Sequence, residues 1–149
     1  MSFQEKNVVA SMLTMLLVLA IFYPRIQASY HLGQFDGPEG LIFLGKTGLY
    51  FVGASVIGNI SALILLNILH AAITGDNSPS SLVDERDKMV ERRGMQIFGV
   101  VVGIGIISAM IALALGVAAV PAFFIILLSF ALAELISGCA KIAMFRLGW

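Results

Sequence analysis

Glu134 is the only acidic residue well inside a long apolar run, 121–145, and any chemistry this chain performs within a membrane would start there. An ionisable side chain in hydrocarbon is costly, so its presence asks for a purpose. Ser137 and Lys141 follow on the same helical face. A second apolar run, 41–73, carries Asn59, Ser61, Asn67 and His70. At 1.5 Å per residue Glu134 lies about 20 Å beyond Pro121, and Asn67 and His70 fall at a comparable depth. Glu134, Asn67, His70, Asn59 and Ser137 are therefore expected as an intramembrane polar cluster. Its members can hydrogen-bond across helices, at about 0.6–2 kcal/mol each, and so tie the second and fourth helices together. Alternatively, they can pass a proton or cation. Bonding between helices is the plainer reading, because one carboxyl alone makes a short relay.

Other chemistries find too few residues. A haem between two histidines would need a second buried one, and His31 falls in a connection on the opposite side of the membrane from His70. No His, Cys or carboxylate group has metal-ligand spacing, and Cys139 has no thiol to pair with. Hydrolase triads, phosphate loops and H-E-x-x-H patterns are missing. Gly99-x-x-x-Gly103 lies in an apolar helix, where close packing explains it better than a nucleotide does. Small multidrug transporters of four helices place a glutamate in the first helix; here that helix offers only Ser11 and Thr14. No catalytic residue, cofactor or metal is expected, and the chain reads as a non-enzyme.

The elements that position these residues are set by composition. Of 149 residues, 59% are hydrophobic and 12% charged, too little charge to cover a surface in water. The net charge of zero gives no reason to expect a nucleic-acid partner. A bilayer core of about 30 Å takes about 20 helical residues, and four runs qualify. They are 8–23, stopped by Pro24; 41–73; 82–118, starting ahead of the membrane; and 121–145, with Pro121 at its start. No A-x-A-like site follows the first run, which reads as a retained helix rather than a signal peptide. The expected fold is all-α: a single transmembrane domain, 1–149, forming a four-helix bundle of two helical hairpins. Glu5-Lys6 before the first helix echoes Glu91-Arg92 before the third, a faint hint of duplication.

Orientation follows the basic residues. Lys6, Arg86, Lys88, Arg92, Arg93, Lys141 and Arg146 fall on one side, and only Arg25 and Lys46 on the other. The termini and the central loop are expected in the cytoplasm. On the other side, 24–40 reads as a turn-rich connector and Ala119-Val120 as a tight turn joining antiparallel neighbours. Ala54, Gly58 and Ala62 on the second helix, and Gly99 and Gly103 on the third, form small-residue stripes that let backbones approach. Packing within the bundle is the preferred use of them.

The charged cytoplasmic segment runs through Asp84, Glu85, Arg86, Asp87, Glu91, Arg92 and Arg93. Ser81 and Asp84 have capping-box spacing. The segment can orient the helix and touch lipid headgroups, or it can dock a partner. Asp84-Glu85-Arg86-Asp87 followed by Val90-Glu91-Arg92-Arg93 resembles a family of small, uncharacterised bacterial membrane proteins with a D-E-R-D-x-x-I-E-x-R segment before the third of four helices. The opening Met-Ser-Phe-Gln-Glu-Lys and the ending through Phe-Arg-Leu-Gly are similar too, whereas the glycine-rich stretch 37–48 is not matched. The resemblance implies a bacterial inner-membrane protein and no particular activity. The expected function is that of an accessory, assembly or regulatory subunit acting through helix–helix contacts. Its expected partners are membrane lipid and a larger membrane protein or further copies of itself. The alternative is a small oligomeric transporter or ion pathway using Glu134.

Overall fold

The computed structural model describes residues 3–74 and 85–147. Four helices follow in chain order: α1 (Phe3–His31), α2 (Gly37–Thr74), α3 (Glu85–Ala114) and α4 (Ala119–Leu147). Each is long and apolar enough to cross a membrane, and the chain is a multi-pass membrane protein with an all-α, four-helix fold. Leu17, Ile57 and Ile107, each about 60% exposed or more, show why. In water such a surface would drive association, whereas in lipid it is the ordinary outer face.

Helix ends differ from the expected ones for local reasons. Pro24 does not stop α1, which continues to His31. A proline removes one backbone donor, and a membrane helix absorbs that loss with local adjustment. The stop comes from Gly33 (φ 66°), where Gly33 N–H donates to Tyr30 O and Gln34 N–H to Ser29 O, both at 3.1 Å. This is a Schellman cap, which satisfies the last carbonyls of α1. The connector expected over 24–40 thus shrinks to 32–36. Phe35 anchors it, 6% exposed, with its ring edge-on to Phe43 and Phe124 at 5.2 and 5.5 Å. The same cap ends α3 four residues before the expected 118: Gly116 (φ 84°) donates to Leu113 O and Val117 to Ala112 O, each 3.0 Å. Pro121 lies in the first turn of α4, where no intrahelical partner awaits its missing N–H. The expected start of the third helix near Leu82 and the Ser81–Asp84 cap lie outside the described residues.

The helices pack unevenly. α3 lies against α4 along most of its length, and α1 packs on both α2 and α4. α2 meets α4 only briefly and makes no comparable contact with α3. The order around the bundle is α2, α1, α4, α3, a U rather than a closed ring. Val18, Phe51, Leu127 and Ala131 form the core where α1, α2 and α4 converge, with Phe22 edge-on to Phe51 at 5.5 Å.

Two small-residue stripes separate here. A Cβ on Gly58 would lie 2.9 Å from Thr14 Cγ2, so this glycine does bring α2 close to α1. Ala54 and Ala62, on the same stripe, are half-buried. Gly99 and Gly103 would meet nothing within 4 Å, and the expectation that they pack a neighbouring helix is corrected. The buried face of α3 is Val90, Gly94, Gly105 and Ala109. At 100° per residue Gly99 and Gly103 point well away from it. Gly58→Leu should therefore lower stability in detergent by about 1–3 kcal/mol, the usual cost of overpacking, while Gly103→Leu leaves it unchanged. Thermal melts of both variants would check this, and the opposite ranking would contradict the packing.

Candidate functional site

Because α2 and α3 do not close on each other, a cleft of about 350 Å³ remains on the concave side of the U, with contributions from all four helices. Ser11 and Thr14 come from α1, Asn59 from α2, Phe98 from α3, and Phe130 and Glu134 from α4. Phe98 and Phe130 stand 6.2 Å apart, centroid to centroid. Val52 and Val56 of α2, about half-exposed, also line the opening. The volume falls within the range of about 300–1,000 Å³ typical of ligand pockets, which are mostly apolar with a few convergent polar groups.

Tracing the polar atoms shows which are free. Ser11 Oγ donates to Asn59 Oδ1 at 2.9 Å, tying α1 to α2. Thr14 and Ser55 donate to Ala10 O (2.9 Å) and Phe51 O (2.8 Å) of their own helices, the common fate of hydroxyls in membrane helices. Among the described residues neither the Asn59 amide NH₂ nor the Glu134 carboxyl has a hydrogen-bond partner. The cleft therefore presents one free amide donor and one free carboxyl in a wall otherwise mostly of carbon.

Of the expected polar cluster, Glu134 and Asn59 share this cleft; Asn67 and His70 do not line it. Asn67 is exposed and its Nδ2 donates to Leu63 O at 2.9 Å. Ser137 is buried, with its hydroxyl 3.3 Å from the Glu134 backbone carbonyl. The depth matching that paired Glu134 with Asn67 and His70 is corrected by about two helical turns, because α2 starts at Gly37 and runs 38 residues, longer than a span requires. A polar tie that the structure does show is between α1 and α2, from Ser11 to Asn59.

The charged segment does something different at the end of the bundle. Lys141 Nζ meets Glu91 Oε1 at 2.7 Å, its stem lying over Gly94, and Arg86 donates to Phe145 O at 3.0 Å near the C-terminus of α4. A cation there satisfies a carbonyl that the helix leaves open and complements its dipole. Glu91 is 60% exposed, so the pair contributes little to stability and mainly fixes the register of α3 on α4. Arg92 and Arg93 are exposed, as are Glu85 and Arg86, while Asp87 is half-buried. Asp84 lies outside the described residues.

Phe98 and Phe130 are cleft residues that the sequence does not single out, whereas Ser11 and Thr14 stand out in it as the polar groups of the first helix without being tied to Glu134. Among the described residues no cluster of His, Cys, Asp and Glu is arranged to hold a metal ion. Compared with family models, curated proteins and solved structures, the chain has no significant match.

Proposed function

We propose that this protein is a non-enzymatic accessory, assembly or regulatory subunit of a bacterial inner membrane, and that its concave cleft receives a transmembrane helix of a larger membrane protein. The observation that carries this reading is the pair of unengaged groups, the Asn59 amide and the Glu134 carboxyl, facing one cleft on the side where α2 and α3 make no extended contact. Polar groups within hydrocarbon are stabilised by partners, and the common partner is a polar side chain on an adjoining helix. A partner helix lying across the opening would give a side chain of its own to Asn59 and Glu134. The test is the mass of the particle extracted in mild detergent, with and without Glu134→Leu. A wild-type particle no larger than one chain in its micelle would overturn the reading.

A proton or cation pathway is less well supported. Among the described residues the hydroxyls of Thr14 and Ser55 beside Glu134 donate to their own helices and that of Ser11 donates to Asn59, so none of them is bonded to the carboxyl. The basic residues at one end of the bundle, Lys141 and Arg86 among them, support cytoplasmic termini. Cysteine placed at Asp36 should then react with an impermeant reagent in intact cells, and cysteine at Asn77 should not; the reverse pattern would invert the topology.

A further inference from the structure

The end of the bundle away from Lys141 holds two basic residues, Arg25 and Lys46, and both line one cleft of about 670 Å³ between α1 and α2. Ser29, Thr47 and Tyr50 line it with them. The Thr47 hydroxyl donates to Phe43 O at 2.9 Å. Among the described residues the Arg25 guanidinium, the Lys46 ammonium, the Tyr50 phenol and the Ser29 hydroxyl have no partner. No carboxylate lines this cleft. Asp36 and Glu39 lie in a neighbouring depression on the other side of Lys46, and neither forms an ion pair with it. The cleft therefore offers several donors, two of them cationic, and no carboxylate to satisfy them. That lining suits an anion with several oxygens, and a guanidinium beside an ammonium suits phosphate.

The floor of the cleft identifies the rest of the ligand. Phe22 and Ile26 belong both to the cationic cleft and to an adjoining apolar groove of about 260 Å³, which continues along α1 and α4 past Leu19, Phe124, Leu127 and Leu128. The groove is lined by aliphatic and aromatic side chains. From Arg25 back to Leu19 is about 9 Å along the helix axis at 1.5 Å per residue, room for part of an acyl chain. An inorganic phosphate would use only the upper cleft and a neutral lipid only the lower groove.

We propose that these joined cavities bind one anionic phospholipid, with its phosphate on Arg25 and Lys46 and an acyl chain in the groove beside Leu19 and Leu128. Bound there, the head group would fill the space between α1 and α2 at their turn end, and the acyl chain would approach the cleft that holds Glu134 across Phe51, which lines both cavities. Basic pockets between membrane helices on the cytoplasmic side hold lipid head groups, and the same chemistry would act here at the opposite end of the bundle.

The test is native mass spectrometry of the full chain in detergent, titrated with phosphatidylglycerol, with phosphatidylcholine and with inorganic phosphate as competitor. Phosphatidylglycerol should be retained one per chain, at least tenfold more than phosphatidylcholine. The Arg25→Gln, Lys46→Gln double variant should lose at least tenfold, while an Arg92→Gln, Arg93→Gln control stays unchanged. Leu128→Trp, at a half-exposed position on the groove, should also weaken retention with both cations intact. Equal retention of the two lipids, equal loss in the control, or no effect of Leu128→Trp would each overturn the assignment. Displacement of the lipid by millimolar phosphate would reduce the site to an anion cleft and overturn it as well.

Discussion

Replacing Gly105 with leucine should separate α3 from α4 and produce a large loss of stability. A Cβ at this position would overlap both Cβ and Oγ of Ser129. Ser129 has no room to withdraw, since it is buried and its hydroxyl is bonded back to Ile126 O at 2.7 Å. Overpacking of a close interface costs about 1–3 kcal/mol, and a whole isobutyl group against a neighbouring helix belongs at or above the upper end. For a chain of this length about 3 kcal/mol corresponds to a melting point lower by roughly 6–12 °C. The milder Gly105→Ala should be rescued by Ser129→Gly, which empties the space the new methyl needs. Thermal melts in detergent would check both, and an unchanged melting point for Gly105→Leu would mean that α3 and α4 pack in another register.

That interface also marks the limit of what could be read beforehand. Four apolar runs of spanning length were legible because lipid imposes length and composition directly on the chain. The antiparallel contact of α3 and α4 followed from a turn too short to allow anything else. Which glycines carry that contact did not follow. Gly99 and Gly103 have the familiar spacing, but the face that meets α4 is chosen by its counterpart residues, Ser129 and the stem of Lys141, which meet Gly105 and Gly94. A hydrophobic pattern cannot reveal that choice, because every face of α3 within the membrane is apolar. Glu134 stood out for its charge alone. Asn59, its companion in the cleft, was already among the polar residues expected with it, but depth matching favoured Asn67 and His70 because α2 is longer than a span requires. Pro24 misled for a related reason: a helix breaker in water is a tolerated residue in a membrane helix.

Exchange of Glu134 for leucine should have opposite effects on the isolated chain and on its assembly. No hydrogen bond within the described residues depends on the carboxyl, so the stability of the bundle should hold or rise as a polar group leaves the hydrocarbon. Association with a partner helix should fall. An interhelical hydrogen bond contributes about 1–2 kcal/mol in model systems, and each 1.4 kcal/mol is tenfold in affinity. Loss of the carboxyl should therefore weaken the complex by roughly tenfold. Glu134→Gln keeps both a donor and an acceptor in place and should retain most of the affinity. A proton pathway predicts otherwise, since glutamine carries no exchangeable charge. Proton flux into reconstituted vesicles that vanishes in Glu134→Gln, with assembly intact, would replace the subunit reading by the pathway one.

The most direct measurement is photo-crosslinking in intact membranes, with a photoreactive residue at Val52 or Val56 in the cleft and at Ile104 as a lipid-facing control. Val52 and Val56 are about half-exposed in the cleft, whereas Ile104 is 61% exposed on α3 and lies outside it. The subunit reading predicts that both cleft positions yield one discrete protein adduct, at least tenfold stronger than any from Ile104, and that Glu134→Leu lowers it in step with the roughly tenfold loss of affinity. Adducts to lipid alone from Val52 and Val56, at the same level as from Ile104, would contradict it.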